Sequence, residues 1–247
     1  MCKYFNIFFL LLLTHTIWGQ TAGSKKVLFV GNSYTYFWNL PLTVQVMSEK
    51  DSVQLITRQS TGGGMSLRQH WNHENNLKTK DIIVKNKFDI IVIQDHSMQA
   101  INKPDSLLYY GRLWGDFIRN SGAKVYVYTT WARENDPQKQ QIITDGYQKL
   151  AAEIGATVVP VGQAWEKVRT LRPDIQLFDK DGSHPSPSGT YLSACVFYAV
   201  LTGKSPVGLP GRIITKDRNG EKLYLNIQSD NDAKFLQEVV QELLKAN

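Results

Sequence analysis

Five short runs rich in β-branched and apolar residues, at positions 26–30, 53–58, 89–93, 124–129 and 157–161, are separated by segments of helical length. This alternation limits the fold more than any other feature of the chain. Near-continuous apolar character suits strands buried on both faces of a parallel sheet, and parallel neighbours need long crossover connections. Segments 40–50, 66–85, 106–120 and 137–154 have the length for those crossovers to be helices. Pro104 and Pro137 stand where two helices would begin, and Gly122 and Gly155 where two would end. The pattern predicts βαβ units and hence an α/β fold: a three-layer α/β/α, flavodoxin-like sandwich around a five-stranded parallel sheet.

A further helix is expected over about Pro187–Thr202, with Ser186 as its N-cap and Pro187 as its first residue. The stretch from about 208 to 247 departs from the βα pattern. "RIITKDRNGEKLYLNI" reads as two strands joined around Asn219-Gly220, a hairpin signal. Phe235, Leu236, Val239, Val240, Leu243 and Leu244 then recur at helical spacing and form a stripe expected to face the core. No repeat, low-complexity tract or linker interrupts residues 20–247, which are expected to form one domain with this C-terminal extension.

The first residues, "MCKYFNIFFLLLLTHTIWG", combine a positive Lys3 with an apolar run at 7–13 and small residues toward Gly19. The run is shorter than the roughly 20 residues that span a bilayer as a helix. The pattern is that of a secretory signal peptide over residues 1–19, so a secreted or periplasmic location is expected, with no stable membrane insertion after cleavage. The alternative is a buried N-terminal helix. Beyond this segment only Cys195 remains, in "YLSACVFYAVL", which excludes an internal disulfide and makes the thiol a buried filler. Loss of Lys3 lowers the formal net charge from +6 to +5, and the basic residues are scattered. No arginine-rich run or basic stripe suggests a nucleic-acid partner.

Ligands of open α/β sheets bind beyond the carboxyl ends of the strands, so the residues after each apolar run carry the functional information. "VLFVGNSYTYF" places Gly31-Asn32-Ser33 after the first, and "RQSTGGGMSLRQHW" places Gly62, Gly63 and Gly64 after the second. The glycines allow N–H groups to turn into a site, and the lysine of a phosphate-binding loop is missing. "IVIQDHSMQ" follows the third run with Gln94, Asp95, His96 and Ser97, and "YTTWARENDP" follows the fourth, offering Trp131 and Arg133 as walls of a binding pocket. Taken singly, each has a plain reading: a helix cap, a flexible turn, an exposed tryptophan, a solvated arginine.

"DGSHPSPSG" changes that balance. A serine hydroxyl is a poor nucleophile near neutral pH and needs a base, and the base needs an orienting group. His184 can take the proton of Ser33, and Asp181 can accept from the other ring nitrogen, while Pro185 and Pro187 stiffen the loop. Elsewhere, His70 and His73 stand three apart on the expected 66–85 helix, but no third metal ligand has matching spacing, so they are expected at the surface or rim. Trp71 beside them is a candidate sugar-binding wall, and His96 is expected to be a hydrogen-bonded rim residue. No metal or organic cofactor is called for.

This conjunction resembles the SGNH hydrolases, the GDSL-type esterases, over residues 26–203. Gly31-Asn32-Ser33 stands where the family has Gly-Asp-Ser, and the Asp-x-x-His-Pro block is intact at 181–185. The resemblance implies Ser33 as nucleophile, His184 as base and Asp181 as its partner. It further implies oxyanion donors at Ser33, at Gly64 (or Gly63) and at the third block. There "QDHS" replaces Gly-x-Asn-Asp and looks like the Gln-Gly-Glu-Ser of sialate and xylan acetylesterase relatives, which puts the donor role on Gln94; Asp95 stands where that version has glycine. Asn32, Trp131 and Arg133 are candidate substrate-binding residues. The implied activity is hydrolysis of carboxylic esters through an acyl-enzyme, with an acylated carbohydrate or another small ester as the partner. Alternatives are a non-catalytic carbohydrate-binding or surface protein on the same fold, and a lipid esterase or thioesterase.

Overall fold

The computed structural model describes Met1 and residues 23–246, so the expected signal peptide lies, Met1 apart, outside the described residues. In chain order the elements are β1 (Gly23–Gly31), α1 (Ser33–Tyr36), α2 (Leu40–Ser48), β2 (Val53–Thr61), α3 (Leu67–Trp71), α4 (Thr79–Lys85), β3 (Ile90–Ile93), α5 (Gln99–Asn102) and α6 (Pro104–Asn120). They continue with β4 (Lys124–Tyr128), α7 (Gln140–Ile154), β5 (Thr157–Val159), α8 (Val161–Leu171), α9 (Pro187–Thr202), β6 (Arg212–Lys216), β7 (Lys222–Ile227) and α10 (Asp230–Lys245). β1 to β5 form a parallel sheet in the order β2-β1-β3-β4-β5, as the βαβ pattern predicts.

Alternation along each strand divides the core into two layers. Val27 and Phe29 face the layer that holds α2, α8, α9 and α10, while Leu28 and Val30 face the layer of α6 and α7. Each fully buried Val, Leu or Phe contributes about 1.5–3 kcal/mol. α9 is apolar on nearly every side and is buried from Gly189 to Ala199, because the sheet covers one flank and α2, α8 and α10 cover the rest. The α10 stripe supplies that cover through Leu236, Val239 and Val240, with Phe235, Leu243 and Leu244 packed at its edge. Cys195 sits inside this layer with no exposure, and burial raises its thiol pKa.

The expected helix over 66–85 is broken. α3 stops at Trp71, and His73, Asn75 and Asn76 adopt φ of 57°, 50° and 59° before α4 begins. Asparagine tolerates the left-handed region that other side chains avoid, so the "NHENN" stretch turns instead of continuing a helix. β5 ends at Val159, short of the expected 161, because Pro160 has no N–H to give and Val161 already opens α8.

Candidate active site

The site is assembled at the carboxyl ends of β1, β2 and β3 and completed by the loop before α9. β1 ends at Gly31, and Asn32 caps α1 in an extended conformation, its side chain accepting from Tyr34 N at 3.1 Å. Ser33 is therefore the first helical residue, with its N–H at the unsatisfied end of the helix. The Asn32 amide also donates to Met65 O (2.9 Å) and Asp95 O (3.3 Å), which ties the loops after β1, β2 and β3 together. With 2% exposure and all its side-chain groups engaged, Asn32 is a structural knot, correcting its candidacy as a substrate contact.

His184 Nε2 lies 2.9 Å from Ser33 Oγ, and its Nδ1 lies 2.5 Å from Asp181 Oδ2. The other oxygen of Asp181 accepts from Ser183 N and His184 N, each at 2.9 Å. Desolvation pushes the Asp181 carboxyl up, but the bonds from the imidazole and the two N–H groups prevail and bring it down to about 2. An ionised Asp181 places the ring proton on Nδ1, so the Ser33 hydroxyl donates to Nε2. The three residues expected to converge do so, in the row Ser33, His184, Asp181.

Aromatic side chains hold the loop of His184. Phe37 stacks on the imidazole with centroids 4.4 Å apart. Trp38 Nε1 donates to Pro185 O at 2.9 Å, and the Tyr34 hydroxyl pairs with Ser183 Oγ at 2.7 Å. Trp131 Nε1 donates to Ser183 O at 2.9 Å, and its ring is sandwiched between Tyr34 (4.4 Å) and Trp165 (3.7 Å). At 1% exposure Trp131 is the middle plate of a buried stack beneath the His184 loop, and it lines, with Gln140, Trp165 and Arg169, a cavity of about 430 Å³. Arg133, two residues on, is exposed, and its charge reaches both Tyr34 and His96.

Gln94 does not face the site. Its Oε1 accepts from Asn32 N (3.0 Å) and Thr35 Oγ1 (2.9 Å), and its Nε2 donates to Asp95 O. The side chain is fully buried below Ser33, so its expected oxyanion role is corrected to that of a clamp on both sides of the nucleophile. Val30 pairs with Ile93, which sets Gln94 level with Gly31 and below Ser33. A Cβ at position 31 would lie 2.4 Å from Gln94 Oε1, which explains the glycine there.

Gly64 has φ of 66° and opens onto a cavity of about 410 Å³ that it shares with His96 and a set of polar side chains. The N–H groups of Ser33, Gly63 and Gly64 meet no acceptor among the described residues, so both glycines keep a free donor in the loop after β2.

His70 is not at the surface or rim. It is fully buried, with Nε2 2.9 Å from Gly31 O and Nδ1 2.7 Å from Thr79 Oγ1, and burial lowers its pKa. Nε2 serves the end of β1 and Nδ1 the start of α4, which leaves neither for a metal. His73, on the turn beyond α3, is exposed as expected, and Trp71, the candidate sugar wall, is half-buried and packs edge-on against Trp114 (5.3 Å). Sequence reasoning missed Tyr34, Phe37 and Trp38, whose signal is the aromatic run "SYTYFW" starting at the nucleophile. It also gave no role to Asp95, a buried carboxyl that accepts from Leu67 N (3.0 Å) and His96 N (2.7 Å) and so joins the β2 and β3 loops.

The sheet order and the three-layer arrangement are those of solved structures that include SGNH-type hydrolases. No family model and no curated protein matches the sequence. Among solved structures, a DUF4886 family protein from Bacteroides uniformis superposes with a TM-score of 0.72 at 19% identity, covering 90% of this chain and 95% of its own. A proposed SGNH hydrolase from Slackia heliotrinireducens gives 0.62 at 22% identity, covering 72% and 100%. A catalytic mutant of an acetylxylan esterase from Geobacillus stearothermophilus gives 0.54 at 16% identity, covering 76% and 98%.

Proposed function

We propose that the protein is an exported serine esterase that removes acyl groups, most simply O-acetyl groups, from a carbohydrate. One observation carries the reading: Ser33 Oγ, His184 and Asp181 form a continuous hydrogen-bonded row of 2.9 and 2.5 Å at the sheet rim. Ser33 Oγ attacks the ester carbonyl carbon as its proton passes to His184 Nε2. Asp181 stabilises the imidazolium through Nδ1–H. The carbonyl oxygen becomes an oxyanion and meets the N–H groups of Ser33 and Gly64 (or Gly63), each such donor contributing about 3–4 kcal/mol to the transition state. Collapse breaks the bond to the alcohol, which leaves with the proton from His184. Water, deprotonated by the same imidazole, then attacks the acyl-Ser33 carbonyl, and the acid departs as the proton returns to Ser33.

The carbohydrate assignment draws on the acetylxylan esterase among the similar structures and on the lining of the adjoining cavity, where Ser66, Arg68, Gln69, Gln99, Asn102 and Lys103 offer hydrogen bonds to a hydroxyl-rich group. Export rests on the signal-peptide pattern of residues 1–19. The test is acetate release from acetylated xylan, pectin and sialic acid, alongside p-nitrophenyl acetate. The purified protein is expected to release acetate from at least one glycan and Ser33→Ala from none. Turnover of p-nitrophenyl acetate with no glycan accepted would overturn the carbohydrate assignment, and equal turnover by Ser33→Ala would overturn the serine mechanism.

A further inference from the structure

We propose that His96 completes the oxyanion hole, its Nε2–H taking the place that sequence reasoning assigns to the Gln94 amide. The inference rests on the esterase reading above. It starts from strand register. Val30 pairs with Ile93 on one side and with Ser60 on the other. Counting three residues beyond each member of this row gives Ser33, His96 and Gly63. The nucleophile, a loop glycine and the histidine thus each lie three residues beyond one paired row of three adjacent strands, whereas Gln94 comes two residues earlier than His96 and is consumed by the Asn32–Thr35 clamp.

The loop of His96 is anchored to its neighbours at close range. Asp95 O accepts from the Asn32 amide, and Asp95 Oδ1 accepts from His96 N and Leu67 N, so the β3 loop is fixed against both the nucleophile's cap and the start of α3. Ser97 interacts with the hydroxyl of Tyr34, the residue that follows the nucleophile. The ring itself is half-buried and lines the same cavity as Gly64.

Its protonation suits a donor. Met98 N–H donates to His96 Nδ1 at 3.2 Å, so the neutral ring carries its proton on Nε2, and that nitrogen meets no partner among the described residues. Burial first, and the charge of Arg133 second, lower the pKa and keep the ring neutral near pH 7. Arg68 and Lys103 line the same cavity. A neutral N–H aimed at developing charge needs no reorganisation as the tetrahedral intermediate forms.

The experiment compares wild type, His96→Ala and His96→Asn on p-nitrophenyl acetate, with thermal melting of each and the rate of fluorophosphonate labelling. His96→Ala is expected to lower kcat about 100- to 1000-fold with KM within about twofold, and to slow labelling in parallel, since phosphonylation also builds a negative oxygen. His96→Asn can accept from Met98 N–H and still donate, and is expected to recover at least about tenfold of that loss. If His96→Ala melts early, the His96→Asn kinetics carry the test. A kcat for His96→Ala within threefold of wild type overturns the proposal, as does a loss confined to KM or a well-folded His96→Asn as inactive as His96→Ala. Wild type without turnover overturns the esterase reading itself, so the two failures are distinguishable.

Discussion

The ring of Phe37 lies nearly parallel to the imidazole of His184, with centroids 4.4 Å and planes 17° apart. The hydrogen bonds of His184 to Ser33 and Asp181 both depend on the plane of its ring, and Phe37 sets that plane from one face. Such a contact contributes about 0.5–1.5 kcal/mol beyond its area. Phe37→Ala is therefore expected to lower kcat/KM for p-nitrophenyl acetate by roughly two- to tenfold, with Phe37→Leu in between and circular dichroism unchanged for both.

Gly31 lies where β1 meets the clamp. A methyl there would come within 2.4 Å of Gln94 Oε1 and 2.6 Å of Thr35 Oγ1, both in buried surroundings. Gln94 cannot yield without releasing the N–H of Asn32, which leaves that donor buried and unpaired. Gly31→Ala is expected to lower stability by about 1–3 kcal/mol and to reduce kcat more than it raises KM, because Ser33 follows its cap. Chemical denaturation and steady-state kinetics on the same preparation check both effects.

Asp95 gives a pH signature. Desolvation raises its carboxyl to about 6, against the bonds from Leu67 N and His96 N that lower it, and Oδ2 has no partner. A carboxyl raised above its unfolded value favours the protonated fold. Its contribution is complete below the unfolded pKa near 4 and is lost as pH rises through about 6. Two pKa units correspond to about 3 kcal/mol. Asp95→Asn retains an acceptor for both N–H groups and removes the titration. Urea unfolding at pH 4 and pH 7.5 should show wild type losing on the order of 3 kcal/mol relative to Asp95→Asn over that interval. The buried His70 favours the opposite direction, since its lowered pKa costs stability as pH falls, and it cancels in the comparison.

The sheet was legible in the sequence because β3 and the carboxyl half of β1 are buried on both faces and so carry near-continuous apolar runs, while the more exposed edge strands β2 and β5 still show as runs rich in β-branched residues, and the helices between them could be counted. The row of Ser33, His184 and Asp181 was legible for a different reason: each lies on a short local motif, and the strand ends gather those motifs on one rim. What the sequence hid depends on distant partners. Trp131 reads as a loop residue until Tyr34 and Trp165 are found on its two faces. Gln94 reads as a rim amide until register sets it level with Gly31, since a shift of one or two residues at a strand end decides between cleft and core. His70 and His73 read as a helical pair, and only the left-handed turn at His73 separates them. Asp95 carries no local sign of its burial, because the groups that surround it come from α3 and α7.

Whether Ser33 is a nucleophile activated by His184 can be measured directly by fluorophosphonate labelling followed by peptide mass spectrometry. Wild type should incorporate one label on Ser33, Ser33→Ala none, and His184→Ala should react at least about 100-fold more slowly. A label on another residue, or an undiminished rate in His184→Ala, would contradict the account.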